Sequence, residues 1–146
     1  MTVTQKIQGI ASLDQVVVAP SLAADHSWSG EAVRKTVDVN AVGLYALLFI
    51  AADGNLEVAD ADAAATIPCR YLALEAGTGA GKLVLRRGYV RDDTWTWTPG
   101  GTLYVSDGGV LTQTPPGTGK QVQPVGWAET ADVAYFRPSL VFWEMA

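Results

Sequence analysis

The strongest constraint on the fold of this chain is the pattern of residues 100–138, in which short apolar runs alternate with turn signals. Four runs, each too short for a helix, are separated by the segments SDGG (106–109), PPGTG (115–119) and ETAD (129–132). Gly and Asp are favoured there because tight hairpin turns need residues at positive φ. The pattern predicts a module of short β-hairpins, with Leu103, Tyr104, Val125 and Phe136 in its core and Trp127 either in the core or at a contact with a partner.

The composition of the 146 residues extends this prediction to the rest of the chain. Hydrophobic residues make up 49% and charged residues 17%, with 15 glycines, which is typical of a turn-rich β protein and unlike a disordered one. We therefore predict an all-β fold, a compact β-sandwich or barrel-like subunit of short hairpins with one short helix and an extended N-terminal arm. Residues 1–40 are predicted to form the arm and the first strands, and residues 41–146 the β-rich domain.

Hydrophobic periodicity places the individual strands. Residues 13–19 and 30–40 read as a short strand and a half-exposed strand, respectively. The continuously apolar segment GLYALLFIA (43–51) favours a strand buried on both faces, followed by a turn at Asp53 and Gly54 and a hairpin partner at 56–58. Further strands are predicted at 70–75 and 82–90, where Gly88 indicates a bulge or bend.

Three other segments carry structural predictions. In ADADAAAT (59–66), Asp60 and Asp62 precede alanines and are expected to cap a helix of one or two turns. In TWTWT (94–98), strict alternation predicts a strand that points both indoles to one face. The apolar tail at 139–145 is expected to be tucked against something.

The charge distribution limits the partners. The net charge is −5, and residues 1–75 hold nine acids against four bases, which argues against a nucleic-acid-binding function, since that would need a basic stripe. The longest apolar run, 42–52, is well short of the roughly 20 residues that cross a bilayer, and no signal peptide is evident. A soluble protein made in a cytoplasm is expected, without membrane or nucleic-acid partners.

Few residues in the sequence suggest a catalytic, metal-binding or phosphate-binding site. The single cysteine, Cys69, is predicted to be a buried apolar residue. The only histidine, His26, lies in the sequence Asp25-His26-Ser27, which has the residue types of a catalytic triad but no surrounding motif, so a surface-loop histidine is favoured over a catalytic or metal-binding one. The Gly-Lys loops ending at Lys82 and Lys120 lack the spacing of a phosphate-binding loop and are predicted to be exposed turns. We expect no enzymatic activity, cofactor or metal.

The one basic cluster lies close to two tryptophans. Arg86, Arg87 and Arg91 precede Trp95 and Trp97, an arrangement that suits stacking on nucleic acid or sugar. Asp92 and Asp93 follow directly and can neutralise the arginines, so a salt-bridged or intersubunit patch is favoured. The two tryptophans are likewise favoured as core or oligomer contacts over a sugar-binding platform.

From about residue 42 to 143 the order of these elements resembles the decoration, cement or head-fibre proteins on the capsids of tailed bacteriophages. The resemblance lies in the buried strand running into Asp53-Gly54, the loop at 59–66, GYV (88–90), and a segment containing tryptophan. It continues in GTLYVS (101–106), GVLT (109–112), VQPVGW (122–127) and AYFRP (134–138). Similar sequences also occur in phage fibre and collar proteins.

The resemblance implies a structural virion protein on the capsid exterior. It implies a homotrimer that binds the major capsid protein and bridges capsid subunits, with an N-terminal arm gripping capsid or neighbouring subunits. A receptor- or glycan-binding head-fibre or tail-fibre module, with a cell-surface glycan as partner, is the alternative, and a hydrolase of cell-surface sugars is a third, for which Asp92 and Asp93 are poor catalytic candidates. The residues predicted to contact other subunits or the capsid are Val3, Ile7, Trp28, Arg86, Arg87, Trp95, Trp97, Trp127, Phe142 and Trp143.

Overall fold

β-Strands make up nearly all the regular structure in the computed structural model of the chain, which describes residues 17–38 and 42–146. Within these residues the only helical segment is a 3₁₀ turn at Ala64–Thr66, and no helix is long and apolar enough to cross a membrane. The predicted all-β, barrel-like fold is confirmed. The strands are β1 (Trp28–Val37), β2 (Leu47–Ile50), β3 (Leu56–Val58), β4 (Cys69–Ala73), β5 (Gly79–Arg91), β6 (Thr102–Val105), β7 (Leu111–Thr112), β8 (Gln121–Val122), β9 (Pro124–Ala128), β10 (Val133–Phe136) and β11 (Trp143–Glu144).

The first five strands close into a barrel. Their order is β1-β3-β2-β4-β5, and β5 pairs back along β1. All neighbours are antiparallel except β1 and β3, which meet in parallel at Val37 and Leu56. Closure leaves no free edge within this ring, and a barrel this small is filled by its own side chains.

Strand β5 connects the barrel to a sheet extension. Its middle, at Val84 and Leu85, pairs with β4, and the segment from Gly88 to Arg91 pairs with β10 on the same side. Strands β9, β6 and β7 then follow β10 in order. Near the end of the chain, β11 pairs with β8 in a separate two-stranded sheet. A single long strand therefore belongs to both halves of the structure.

Two apolar cores lie on opposite faces of the shared strands. Leu48 belongs to a cluster formed by β1 to β5 and the segment before β2, whereas its neighbour Leu47 packs with residues of the extension, including Phe136 and Val125. Leu47 and Leu48 are both fully buried. Because alternate residues of β2 enter different cores, the strand has to be apolar at successive positions. The prediction of a strand buried on both faces is confirmed for Leu47 and Leu48 but is wrong for the ends of the segment 43–51, since β2 spans only Leu47–Ile50 and both Leu44 and Ile50 are exposed.

Other sequence predictions are partly or wholly wrong. The helix at 59–66 is only the 3₁₀ turn, whose N-cap is Ala63 without any side-chain cap. Asp60 does not cap it; its Oδ1 accepts a hydrogen bond from the Asp62 amide at 2.8 Å, an Asx-type turn that competes with helix. Of the strand predicted at 13–19, the described residues 17–19 are not in a strand, and Val17 is 90% exposed.

Two further outcomes concern aromatic segments. Residues 94–98 form no strand, yet Trp95 and Trp97 both pack against the larger core with ring centroids 5.4 Å apart, as alternation predicted. The large apolar side chains at positions 140–143 are exposed within the described chain, so this chain does not itself cover the tail, and its packing against a partner stays a prediction.

Candidate interaction groove

A row of three aromatic rings crosses the outer face of the extension. Tyr135 on β10 is in register with Tyr89 on β5 and with Trp127 on β9, and both neighbouring rings have centroids 4.6 Å from that of Tyr135. Their sequence neighbours Val90 and Ala134 are fully buried, so strand alternation turns the three rings away from the core. Burial, followed by the nearby Glu129 carboxylate, raises the pKa of Tyr89 above its ordinary value.

Trp127 also lines an open groove of about 890 Å³ that we call the arginine groove. Its walls carry the side chains of Arg70, Arg86, Arg87 and Arg137 and one carboxylate, that of Glu31. A smaller adjoining hollow of about 500 Å³ shares Glu31 and Arg87 and is lined by Tyr135. The aromatic row and the groove are therefore one continuous surface.

β-Bulges place two of these arginines. Along β4, Tyr71 pairs with Leu48 and Cys69 with Phe49, which leaves Arg70 as the extra residue. A bulge bends its strand locally and redirects a side chain. Here it lets Arg70 reach the surface from a strand whose Leu72 and Ala73 enter the two cores.

A second β-bulge lies on the neighbouring strand β5. Arg87 pairs with Glu31 and Leu85 with Ala32, so that Arg86 is the extra residue. The bulge predicted at Gly88 thus lies two residues earlier. Gly88 instead faces Gly30 across the β1–β5 pair, where a side chain on either residue would overlap the opposite backbone.

The groove contains more positive than negative charge. Arg86 Nη1 lies 3.9 Å from Glu31 Oε2. Among the described residues, Arg70, Arg87 and Arg137 have no carboxylate oxygen within 4.0 Å. Arg70 Nη1 is in addition buried without a hydrogen-bond partner in the described part of the chain. Three guanidinium groups without a carboxylate partner on one surface would be stabilised by an anionic partner, because arginine forms charge-assisted hydrogen bonds with anions.

The third arginine of the predicted cluster is fully paired. Arg91 Nε donates to Asp93 Oδ1 at 2.7 Å, and Arg91 Nη2 lies 3.4 Å from Asp132 Oδ2. The hydrogen bond to Asp93 is the largest cause of the raised pKa of Arg91. The prediction that the following aspartates neutralise the cluster therefore holds for Arg91, through Asp93, and is wrong for Arg86 and Arg87.

The C-terminal segment forms one rim of the groove. Leu140 and Val141 line it and are 81% and 66% exposed. The segment is anchored by the fully buried Gln123, whose Nε2 donates to the carbonyl oxygens of Ser139 at 2.9 Å and Cys69 at 3.0 Å. Gln123 Oε1 accepts from the Cys69 amide at 2.7 Å. The rim is thus fixed to strand β4 by a buried amide.

Ten residues were predicted to make subunit or capsid contacts, and the structure brings three of them together. Arg86, Arg87 and Trp127 all line the groove. Phe142 and Trp143 continue the exposed rim segment, while Trp28 is 38% exposed at the start of β1. The remaining ones are Trp95 and Trp97, which are partly buried against the larger core, and Val3 and Ile7, which lie outside the described residues.

The sequence reasoning missed Arg70, Arg137, Ile50, Tyr89 and Tyr135. Arg70 and Arg137 are single charges within apolar segments, far apart in the chain. Tyr135 and Arg137 alternate with Ala134 and Phe136, which are apolar neighbours and are buried. This alternation could have placed Tyr135 and Arg137 on the outer face.

The other candidate sites have ordinary structural roles or little support. His26 Nε2 lies 3.5 Å from Asp25 Oδ2 and 3.6 Å from Asp92 Oδ2, and the three side chains could offer ligand atoms to a cation. The Ser27 hydroxyl donates to the Ala24 carbonyl oxygen, so it does not extend a relay from His26. Hydrogen bonds from Thr94 hold the pKa of Asp92 below its ordinary value despite the opposing effect of burial.

Cys69 and the Gly-Lys loop ending at Lys120 match the predictions made for them. The loop ending at Lys82 does not, because residues 79–82 belong to strand β5 and not to a turn. Cys69 is buried, and burial raises the pKa of its thiol to about 12, which keeps it protonated and unreactive. Lys120 lies in a turn next to exposed glycines, where its ammonium group pairs with Asp107 and lies 3.4 Å from Asp62 Oδ1. It is thus neutralised by the protein itself.

Comparison with known proteins identifies no relative. No protein-family model matches the chain. No curated protein and no solved structure is significantly similar to it either.

Proposed function

We propose that the chain is a structural virion protein that binds the exterior of a tailed-phage capsid and stabilises it by bridging capsid subunits as a homotrimer. The observation that carries this proposal is the arginine groove, continuous with the aromatic row and with the exposed apolar segment 140–143. Trp, Tyr and Arg are the residues that most often dominate binding energy at protein–protein interfaces. An exposed apolar patch rimmed by polar groups is typical of such an interface.

The apolar tail supports assembly of several copies. Phe142 and Trp143 remain 37% and 48% exposed in a single chain, and neither lines the arginine groove. Burying them against a second copy would remove apolar surface from water at about 25 cal/mol per Å². We assign these two residues to the contact between subunits and the groove to the capsid, so that a trimer presents three capsid-binding surfaces.

Bridging follows from this multivalency. Once one subunit is bound, the others meet the shell at a high effective concentration, so that weak single contacts add to strong attachment. The capsid then resists opening because several contacts have to break together. In this proposal the protein is located on the virion, and its partner is the major capsid protein.

The aromatic row favours the alternative function. Three rings in line on an exposed sheet form a surface on which sugar rings can stack, as a receptor- or glycan-binding head-fibre or tail-fibre module requires. Trp127 Nε1 donates to Glu129 Oε1 at 3.1 Å, so this indole is held in a fixed orientation. A glycan array that gives binding without any capsid binding would favour this alternative.

The test combines oligomeric state with capsid binding. Size-exclusion chromatography with light scattering is expected to give a trimer, and the protein is expected to co-sediment with undecorated phage capsids. Phe142→Asp should convert the trimer to monomers, because the new carboxylate would be buried without a partner. Val110→Asp is the matched control, since Val110 is 57% exposed on another loop, and this variant should remain trimeric. A monomeric wild-type protein that does not sediment with capsids would refute the proposal.

A further inference from the structure

Unpaired positive charge is concentrated in one place on this chain. Among the described residues, four cationic side chains have no carboxylate oxygen within 4.0 Å, and three of them line the arginine groove. These three are Arg70, Arg87 and Arg137. The fourth, Lys35, lies over the Tyr71 ring, 5.7 Å from its centroid. The whole chain has a net charge of −5, so the groove is a local positive site on an acidic protein.

The walls of the groove are apolar as well as basic. Ile50 is 47% exposed, Trp127 38%, Leu140 81% and Val141 66%, and all four line it. A ligand that covers these side chains needs apolar groups next to its anionic groups. A polypeptide segment with carboxylates and aliphatic side chains meets both requirements.

We propose that the arginine groove binds an acidic polypeptide segment of the partner, with carboxylates on the guanidinium groups and aliphatic side chains against Trp127 and the 140–141 rim. The inference rests on the proposed function only in taking the partner to be the major capsid protein. Arginine suits this task because its planar fork can bind a carboxylate through two parallel hydrogen bonds. The bulge at Arg70 directs this side chain to the groove, where it can meet such a segment.

Charge complementarity favours a short segment over a long polyanion. Outside the groove the surface is acidic, so a nucleic acid or a long sulfated glycan extending beyond it would be repelled. Neither of these ligands supplies aliphatic side chains for Ile50 and Leu140. The groove therefore selects a few carboxylates in an apolar setting rather than a high density of charge.

The test uses synthetic peptides and does not need a capsid. The probe is a peptide of alternating Asp and Leu, compared with the same peptide carrying Asn for Asp, a sulfated oligosaccharide and a single-stranded oligonucleotide. Binding is followed by the NMR shift of the Trp127 indole N–H, since Trp127 lines the groove. We expect the Asp peptide to bind and the Asn peptide to bind at least about tenfold more weakly, as expected when one charge-assisted hydrogen bond is lost.

Paired variants test the arginines directly. The double variant R87Q/R137Q should weaken binding of the Asp peptide by about a hundredfold, a factor of about ten for each charge. Both residues are exposed, so the fold should be preserved. R34Q/K82Q removes the same charge from two residues that pair with Glu75 outside the groove, and it should bind almost as wild type. Four results would overturn the inference. The Asn peptide could bind as tightly as the Asp peptide, or the oligosaccharide or the oligonucleotide could bind more tightly. The two double variants could lose equal amounts of binding, or no probe could bind.

A capsid experiment separates this inference from the proposed function. If wild-type protein and R87Q/R137Q bind capsids equally, the protein is a capsid binder but the groove is not its binding site. If the Asp peptide binds in the groove and wild-type protein ignores capsids, the groove inference stands and the capsid function fails.

Discussion

The buried amide of Gln123 offers the sharpest test of how this fold supports the groove. Its three hydrogen bonds join the amide and carbonyl of Cys69 in β4 to the carbonyl of Ser139, where the rim segment begins. Gln123 and Cys69 are both fully buried. Replacing Gln123 by Leu keeps a similar volume, so the main effect is the loss of hydrogen bonds and not a cavity.

The expected loss of stability follows from what remains unpaired. The Cys69 N–H loses its partner in a place that water does not reach, and an unsatisfied buried donor costs about 1–3 kcal/mol. The Cys69 carbonyl also loses the Gln123 amide, whereas the less buried Ser139 carbonyl can bond to water. We therefore expect Gln123→Leu to lower the free energy of unfolding by about 3 kcal/mol.

Gln113→Leu is the matched control. The Gln113 side chain also makes two backbone hydrogen bonds, to the amide and the carbonyl of Thr98, but at an exposed site. Water can replace them there, so the loss should be under about 1 kcal/mol. Urea denaturation at one fixed protein concentration measures both variants, since association also contributes to stability. Equal losses in the two variants would refute the reasoning from burial.

Two further predictions concern the backbone and pH. Gly126→Ala should cost about 3 kcal/mol or more in the same assay, because Gly126 has φ 141° and a Cβ there would overlap the carbonyl oxygen of Tyr135. The free energy of unfolding should fall from pH 9 to about 12, because burial raises the pKa of Cys69 and Tyr45 to about 12 and the unfolded chain deprotonates first. Tyr45→Phe should flatten the fall above pH 10, and a pH-independent stability would contradict this.

Local patterns predicted most of the strands. Turn signals at Asp53-Gly54 and in residues 106–109 separate strands as expected. The uninterrupted apolar segment before Asp53 indicated burial on both faces, which the two cores explain. These features depend on residues close in sequence, so hydrophobic periodicity and turn-forming residues are enough to predict them.

Long-range pairing could not be predicted from the same patterns. Two features depend on distant segments. They are the parallel contact of Val37 with Leu56, which helps to close the barrel, and the pairing of β5 with both the barrel and the extension. The short helix was wrong because the side chains of Asp60 and Thr66 bond to loop backbone, which stabilises a turn instead of a helix.

Only some of the groove residues could be predicted from the sequence, for a related reason. The sequence indicated two adjacent arginines, Arg86 and Arg87, and an aromatic residue near a turn, Trp127. Arg70 did not, because an arginine between Cys69 and Tyr71 at regular strand spacing does not show that a bulge redirects it. A bulge is defined by its partner strand, so one strand read alone cannot reveal it.

The unpaired arginines are therefore better explained by binding than by folding. Arg70, Arg87 and Arg137 repel one another, and none of them gains a carboxylate partner within the described chain. Pairing them or replacing them with neutral residues would relieve this repulsion, although by no more than about 1 kcal/mol for each exposed residue. A chain of net charge −5 has acidic residues enough to pair them, as Asp93 and Asp132 do for Arg91. Local features that lower stability without a structural benefit are expected at functional sites, and here they coincide with the exposed apolar rim.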